Sequence, residues 1–185
     1  MYCNPLQDYL DTSNGIHVAI SSWQRVPDNA IPARAKPTGL YLNSALARDE
    51  AMRNGYDEGI FLTKNGNVSE GSGEHIFMIK DQQIFSPPSI EDNLDGITRK
   101  TVIQLIQEQT SYTFIERSIA RSELYTCDEL FFVGTGAEVT PIASVDKRTV
   151  GDGKVGSITK EIQDLYFKTV YGKMEAYMNW LTPVF

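Results

Sequence analysis

The sequence predicts a mixed α/β domain whose strands pair largely as antiparallel hairpins. Runs with strand-like alternation are interspersed with runs of helical periodicity along the chain. The dipeptide Asn65-Gly66, the strongest short signal for a hairpin turn, separates two of the strand-like runs. The length of 185 residues and a hydrophobic content of 41% are sufficient for one domain with a substantial buried core.

The N-terminal part is predicted to contain a leading segment, one strand and an irregular loop. Residues 1–14 are polar and rich in turn formers, so we expect an N-terminal remnant or interdomain segment there and the folded domain at 15–185. The run 16–23 is β-branched and partly alternating, which is typical of a half-buried strand. A loop punctuated by prolines follows and keeps the chain extended or turning, which places Lys36 on irregular backbone.

A helix and two hairpins are predicted next. In the helix, residues 42–55, apolar side chains lie broadly on one face and charged ones largely on another. The apolar members are Leu42, Ala45, Leu46 and Met52. Two strand pairs follow, and their runs are 59–63, 67–70, 75–80 and 83–86.

The C-terminal part adds two long helices, one short helix and three strands. A helix is expected after 94–99, capped by Asp95 or Thr98, and it runs to about residue 109. The last helix is predicted at 157–181, interrupted, if anywhere, near Gly172. The remaining elements are strands at 112–119, 129–133 and 139–145, and a short helix at 121–125.

Composition and charge favour a small-molecule partner. The net charge is −7 and the acidic residues are spread along the chain, whereas nucleic-acid surfaces need clustered Lys and Arg. No apolar run approaches the ~20 residues of a membrane span, and 1–14 lacks the pattern of a signal peptide, so we expect a cytoplasmic protein with no membrane partner. The two cysteines and two histidines do not form a metal-binding pattern, so no metal site is predicted.

Lys36 is a candidate nucleophile. It is the one lysine in a stretch of small and apolar residues at 31–42, and Tyr41 follows five positions later. An amine that attacks a carbonyl must be deprotonated, and burial favours the uncharged form of a lysine. The same pattern also fits an ordinary lysine on a loop, so other parts of the chain have to decide between the two.

Two glycine-containing loops are suited to a phosphate. Gly96-Ile97-Thr98 opens a predicted helix, and Gly134-Thr135-Gly136 follows a strand that we expect to be buried. N–H groups at a helix start are unpaired and favour an anion, while glycine allows close approach and threonine adds a hydroxyl. Each loop taken singly also fits a plain cap or turn.

Glu70 is the remaining candidate for chemistry. Its carboxylate lies between a hydrophobic strand and the Gly-Ser-Gly bend at 71–73. Two roles are open, because it can hold a proton on a ligand nitrogen or accept local backbone N–H groups. A lysine, a phenol, a carboxylate and two phosphate-suited loops together match an aldehyde-bearing, phosphorylated pyridine, which is pyridoxal phosphate.

The chain resembles a known family, the class IV or fold-type IV pyridoxal-phosphate aminotransferases, and in particular the branched-chain amino acid aminotransferases. The resemblance spans about 15–166. It is carried by SSWQR at 21–25, AK at 35–36 with Gly39 and Tyr41-Leu42, GYDEG at 55–59, VSEGSGE at 68–74, GITR at 96–99 and GTGAEVTP at 134–141. Two departures are His75, where the family usually has asparagine, and Gly136, where it usually has alanine.

The resemblance implies the large domain of the fold-type IV aminotransferase fold, which is a mixed, mostly antiparallel sheet or pseudo-barrel with surrounding helices. The small N-terminal domain of the family is expected to be missing from this chain. Because that domain supplies an arginine to the cofactor phosphate and much of the substrate pocket, the resemblance implies weak cofactor binding and little or no turnover by this chain alone.

The resemblance also implies roles for single residues. Lys36 is expected to form the Schiff base with pyridoxal phosphate and to shuttle a proton at the substrate Cα. Glu70 is expected to face the pyridine nitrogen. The other expected cofactor contacts are Tyr41 to the phenolic oxygen and Ile97, Thr98 and Thr135 to the phosphate. Gly136 and Ala137 are expected to bind the substrate carboxylate through their N–H groups.

The implied activity is transamination between branched-chain L-amino acids (leucine, isoleucine, valine) and 2-oxoglutarate, in a homodimer or larger homo-oligomer. Two alternatives within the family stay open, a D-amino acid aminotransferase and an aminodeoxychorismate lyase. A third alternative is of another class, a non-catalytic domain kept for binding or oligomerisation.

Overall fold

Nine strands form one curled, mixed sheet in the computed structural model, which describes residues 9–183. In chain order the strands are β1 (Ile16–Gln24), β2 (Glu58–Leu62), β3 (Val68–Gly71), β4 (His75–Lys80), β5 (Gln83–Ser86), β6 (Thr113–Glu116), β7 (Glu129–Gly134), β8 (Glu138–Val145) and β9 (Arg148–Thr149). The α-helices are α1 (Tyr41–Arg53), α2 (Ile97–Gln109) and α3 (Ser157–Val170). Short 3₁₀ helices lie at Ala33–Ala35, Thr38–Leu40, Ser89–Glu91, Arg121–Tyr125 and Glu175–Trp180.

The sheet is mostly antiparallel and nearly closes on itself. Its order is β3-β2-β1-β8-β7-β4-β5-β6, with β9 paired to β8. β1 runs parallel to both β2 and β8, β5 runs parallel to β6, and the other pairs are antiparallel. The Val68 N–H donates to the Ile119 carbonyl at 2.8 Å, which joins β3 to the segment after β6. The predicted mixed, mostly antiparallel pseudo-barrel is therefore confirmed.

Alternating side chains of the central strands supply two separate cores. In β4, Ile76 and Met78 pack in the core inside the curl, whereas Phe77 and Ile79 face the other side of the sheet. Successive side chains of a strand point to opposite faces, so a wholly apolar strand is buried on both. The outer core lies between the sheet and helices α2 and α3, where Phe77 stacks on Phe131 with ring centroids 5.0 Å apart.

The C-terminal helix is shorter than the predicted 157–181. α3 ends at Val170, and Gly172 adopts a left-handed conformation with φ 68°. Glycine takes this conformation without the steric cost of a Cβ, so it is a common helix terminator. The chain resumes as the 3₁₀ helix Glu175–Trp180. The predicted interruption near Gly172 is therefore confirmed.

Helix α1 does not bury the apolar face that its sequence pattern indicates. Leu42 is 70% exposed and Met52 is 59% exposed, while the buried members of the helix include Ala47 and Ala51. The cause is the close approach of α1 to β2, since a Cβ added to Gly59 would lie 3.0 Å from the Ala47 carbonyl oxygen. Only small side chains fit between a helix and a strand at that separation.

The predicted leading segment, 1–14, is described from Tyr9 onward. Its first eight residues, 1–8, lie outside the described residues. Leu10 is buried and belongs to the core inside the curl, and Tyr9 packs against the same core. Within residues 9–183, no helix has the length and apolar character needed to cross a bilayer.

Candidate active site

A cavity of about 230 Å³ opens beside the strand ends of the sheet. The loop before α1, the β3–β4 bend, the start of α2 and the β7–β8 loop meet there. All six residues expected to contact the cofactor line this cavity, and they are Lys36, Tyr41, Glu70, Ile97, Thr98 and Thr135. Arg25 and His75 also line its wall, together with Asp95 and two serines, Ser44 and Ser72.

Lys36 is held in an unusual backbone conformation at the cavity wall. Its φ of 49° and ψ of 47° are left-handed, and its N–H donates to the Ala33 carbonyl at 3.2 Å. A non-glycine residue in this region costs on the order of 1 kcal/mol, so the surrounding turns fix the direction of the side chain. Lys36 is solvent-exposed at the cavity.

Glu70 is the buried acid of the site, with 4% of its surface exposed. Its Oε1 lies 2.5 Å from Arg25 Nη2, and its Oε2 accepts the Leu94 N–H at 3.2 Å. Burial raises the pKa of Glu70, while Arg25, the Leu94 N–H and Lys36 act in the opposite direction. These opposed influences suit a carboxylate that shares a proton with a ligand nitrogen.

Arg25 is a site residue whose role the sequence did not reveal. Its side chain is 5% exposed, its Nε donates to the Asp92 carbonyl at 3.3 Å, and its guanidinium lies 5.2 Å from the Phe61 ring centroid. The Asp92 carbonyl and the Phe61 ring thus hold the guanidinium against Glu70. A buried Glu70 requires a cationic partner, and this requirement could have suggested an arginine or lysine near it. No sequence pattern indicated which cationic residue is the partner.

His75 lies between Glu70 and the beginning of α2. Its Nδ1 is 3.7 Å from Glu70 Oε2, and its Nε2 is buried with no hydrogen-bond partner among residues 9–183. Burial lowers the pKa of His75 to about 3, and the positive charges of Arg99, Lys36 and Arg25 act in the same direction. The imidazole is therefore neutral at physiological pH.

The start of α2 presents uncapped N–H groups to the cavity. Gly96 is the N-cap residue, and its extended backbone offers no side chain to the helix. The expected capping by Asp95 or Thr98 is wrong, since Asp95 instead pairs with Lys100 at 2.6 Å. A helix start without a side-chain cap leaves its first N–H groups available to an anion.

The β7–β8 loop places only part of the expected substrate contacts at the cavity. Thr135 lines it, but Gly136 and Ala137 do not. The Cα of Gly136 faces Tyr9, whose ring atom Cγ would lie 3.7 Å from an added Cβ. Ala137 is buried, and its carbonyl accepts the Thr140 hydroxyl at 2.5 Å.

A second group of buried acids lies behind this wall and was not recognised in the sequence. Glu58 and Glu74 are both buried, and the hydroxyl of Tyr9 accepts a hydrogen bond from Arg48 beside them. Burial and the neighbouring charge of Glu58 raise the pKa of Glu74 to about 8. Two carboxylates that share a buried site cannot both ionise readily, so this pair holds a proton near neutral pH. Among residues 9–183, no cluster of three or more acidic, His or Cys side chains could hold a metal ion.

Comparison with known proteins identifies the family. The family described as amino-transferase class IV matches residues 1–145. The chain belongs to the class IV aminotransferases. It is 52% identical over 177 residues, 96% of the chain and 57% of the relative, to the Aquifex aeolicus protein named "Probable branched-chain-amino-acid aminotransferase". This class IV aminotransferase chain thus spans little more than half the length of that relative.

Solved structures of branched-chain aminotransferases share the fold. The enzyme of Thermoproteus uzoniensis with norvaline superposes with a TM-score of 0.94 at 45% identity, covering 98% of the chain and 60% of that structure. The holo-form of the Thermobaculum terrenum enzyme, described as its PLP-form, gives a TM-score of 0.93 at 39% identity, covering 97% and 58%. Both comparisons establish the class IV aminotransferase fold for this chain.

Proposed function

We propose that the protein containing this chain is a pyridoxal-phosphate-dependent aminotransferase that transfers the amino group of branched-chain L-amino acids to 2-oxoglutarate. In this proposal residues 15–185 form the cofactor-binding domain, and the protein works as a homodimer or larger homo-oligomer. The observation that carries the proposal is the convergence of Lys36, Glu70 and two phosphate-suited loops on one cavity. The branched-chain relatives and structures support the substrate class.

The donor set of the cavity fits pyridoxal phosphate. A buried acid beside a fixed arginine suits a pyridine nitrogen, and the uncapped start of α2 suits a phosphate. Lys36 supplies an amine on the same wall, and Tyr41 supplies a phenol. When bound, pyridoxal phosphate supplies an aldehyde that takes up the amino group and a ring that accepts electrons from the substrate Cα.

Side chains of this chain have separate roles in the proposed reaction. Lys36 would hold the cofactor through its amine, and the same amine, free once substrate is bound, would move the proton at the substrate Cα. Glu70 holds the proton on the pyridine nitrogen, and Arg25 keeps the Glu70 carboxylate in place. Tyr41 donates to the phenolic oxygen.

Backbone N–H groups and one hydroxyl bind the cofactor phosphate and the substrate carboxylate. The N–H groups of Ile97 and Thr98 and the hydroxyl of Thr135 bind the phosphate. The N–H groups of Gly136 and Ala137, which follow Thr135 in the same turn but do not line the cavity of this chain, are assigned to the substrate carboxylate. The phosphate donors are preorganised by a helix start and a turn that both line the cavity, so they need little rearrangement on binding.

The cofactor assignment is tested by adding pyridoxal phosphate to the purified chain and recording the absorbance of the bound form in the visible range. We expect a new band that is lost in Lys36→Ala and kept in Lys64→Ala, a control in the exposed turn between β2 and β3. An unchanged band in Lys36→Ala, or no band in the unaltered chain, contradicts the assignment.

The substrate class is tested on the whole protein by half-reactions with L-leucine, L-valine and D-alanine. We expect the bound cofactor to be converted by the two L-amino acids and not by D-alanine. Conversion by D-alanine alone identifies the D-amino acid aminotransferase alternative. Assay of the chain by itself for transfer from leucine to 2-oxoglutarate addresses the non-catalytic alternative, which robust turnover contradicts.

A further inference from the structure

We propose that His75 is a positioning residue of the cofactor site, a neutral imidazole that bridges the Glu70 carboxylate and the N-terminus of α2. This inference rests on the function proposed above. It starts from two observations about one side chain: His75 is 5% exposed, and its Nε2 is a buried polar atom without a hydrogen-bond partner among residues 9–183. A buried imidazole with an unused nitrogen needs an explanation, because leaving a polar atom unpaired is costly.

The surroundings of the ring select one tautomer. Nδ1 lies 3.7 Å from the Glu70 carboxylate, which only accepts hydrogen bonds when ionised. A proton on Nδ1 is attracted by that carboxylate, whereas a lone pair there is repelled. Nε2 then carries the lone pair and faces Gly96 at the positively polarised start of α2. Both ends of the ring therefore favour the Nδ1–H form.

The distance of 3.7 Å is longer than a hydrogen bond, as is common for catalytic contacts before the ligand is bound. The charged groups that act on the ring are Glu70, Lys36, Arg25, Arg99 and Asp95. A charged imidazole would compete with a pyridinium for Glu70. A neutral one with its proton on Nδ1 points that N–H toward the carboxylate without neutralising it.

The glycine at position 96 gives independent geometric support. A Cβ at Gly96 would lie 2.2 Å from His75 Nε2 and 2.7 Å from Cδ2, so the ring occupies the space of a side chain at residue 96. The backbone of Gly96, with φ −77° and ψ 139°, is open to any residue. Glycine is therefore required there by the imidazole and not by the turn, which couples His75 to the position of α2.

The tautomer is tested on the chain without cofactor. The sequence contains two histidines, so a long-range ¹H–¹⁵N spectrum of the histidine-labelled chain shows two imidazoles, and His17→Gln assigns them. We expect His75 to give the neutral Nδ1–H pattern without titrating between about pH 5.5 and 8. A protonated ring, or the Nε2–H tautomer, overturns the proposal.

The coupling to α2 is tested by thermal unfolding. Gly96→Ala should lower the midpoint by roughly 3–10 °C in the unaltered chain, because the new methyl group overpacks the ring. The same substitution in a His75→Ala background should have a clearly smaller effect. Gly39→Ala is the matched control, since nothing lies within 4 Å of its Cβ position. Equal effects of Gly96→Ala in both backgrounds overturn the coupling.

The effect on the cofactor site is tested with His75→Phe and His75→Asn. Phenylalanine keeps most of the bulk without a donor, and asparagine keeps an N–H donor. We expect His75→Phe to weaken pyridoxal phosphate binding about tenfold or more, measured by quenching of tryptophan fluorescence, and to change the pH profile of the bound-form absorbance. His75→Asn should stay within about threefold of the unaltered chain.

Equal losses in the two variants indicate a purely structural role and overturn the proposal. If the unaltered chain takes up no pyridoxal phosphate, the proposed function fails, whereas the spectrum and the Gly96 coupling still decide the tautomer of His75 and its coupling to α2.

Discussion

Replacing Arg25 by methionine isolates the ion pair that fixes Glu70. Both partners are nearly completely buried, with exposed fractions of 5% and 4%, and their closest atoms lie 2.5 Å apart. Methionine keeps an unbranched apolar stem beside Phe61, so the change removes the charge with little loss of packing. Glu70 is then left in the interior with the Leu94 N–H as its remaining close donor among residues 9–183.

The size of the effect follows from the uncompensated charge. Removing one partner of a buried ion pair costs about 3–5 kcal/mol. Because the Leu94 N–H still contacts the carboxylate, we expect a loss at the lower end of this range, about 3 kcal/mol at pH 7. Without Arg25 the pKa of Glu70 rises further. A carboxyl whose folded pKa is raised favours folding below its unfolded pKa and loses this contribution as the pH rises, so the deficit should shrink in acid.

The assay is urea denaturation of four proteins: the unaltered chain, Arg25→Met, Glu70→Gln and the double variant. Neutralising Glu70 in the Arg25→Met background should recover most of the lost free energy of unfolding. Arg53→Met is the matched control, since its pair with Asp49 is exposed and should contribute little. A loss below about 1 kcal/mol for Arg25→Met, or additive effects in the double variant, would refute this reasoning.

Two further predictions concern the buried acids and the last helix. The pKa of Glu74 is raised to about 8 beside Glu58, so this group favours folding fully below its unfolded pKa and loses that contribution as the pH rises through 8. Glu74→Gln should therefore reduce the fall in urea midpoint between pH 5 and 8, and an unchanged fall would contradict the shared proton. Glu129 accepts the N–H groups of Ile158 and Thr159 at 3.1 and 2.7 Å, so Glu129→Ala should cost about 1–2 kcal/mol and speed amide exchange at the start of α3. Unchanged exchange there would show that the cap contributes nothing.

Much of the fold could be predicted because its signals are local. The hairpin at Asn65-Gly66 joins β2 and β3 as expected, and Gly66 adopts φ 84° in the turn. The uniformly apolar run in β7 is buried on both faces. The orientation of α1 could not be predicted, because it depends on a tertiary contact between Ala47 and Gly59 that no periodicity encodes.

Some residues of the candidate site could be predicted from the sequence and others could not. Family motifs indicated Lys36 and Glu70, which line one cavity, and the roles expected of them stay predictions. The motif containing Arg25 was noticed without a role, because its partner belongs to a distant strand. His75 was noticed only as a departure from the family pattern, since its unpartnered nitrogen is visible only in three dimensions.

The position of β1 has a consequence for how the chain folds. β1 lies inside the sheet, and its parallel partner β8 comes from a distant part of the sequence, with Ile16 opposite Ile142. During synthesis the first strand therefore emerges long before this neighbour exists. Parallel pairing over such a separation is slow because a long loop must close first. The nascent chain is thus expected to keep an open strand edge until β8 leaves the ribosome, and this late closure is the step at which aggregation competes with folding.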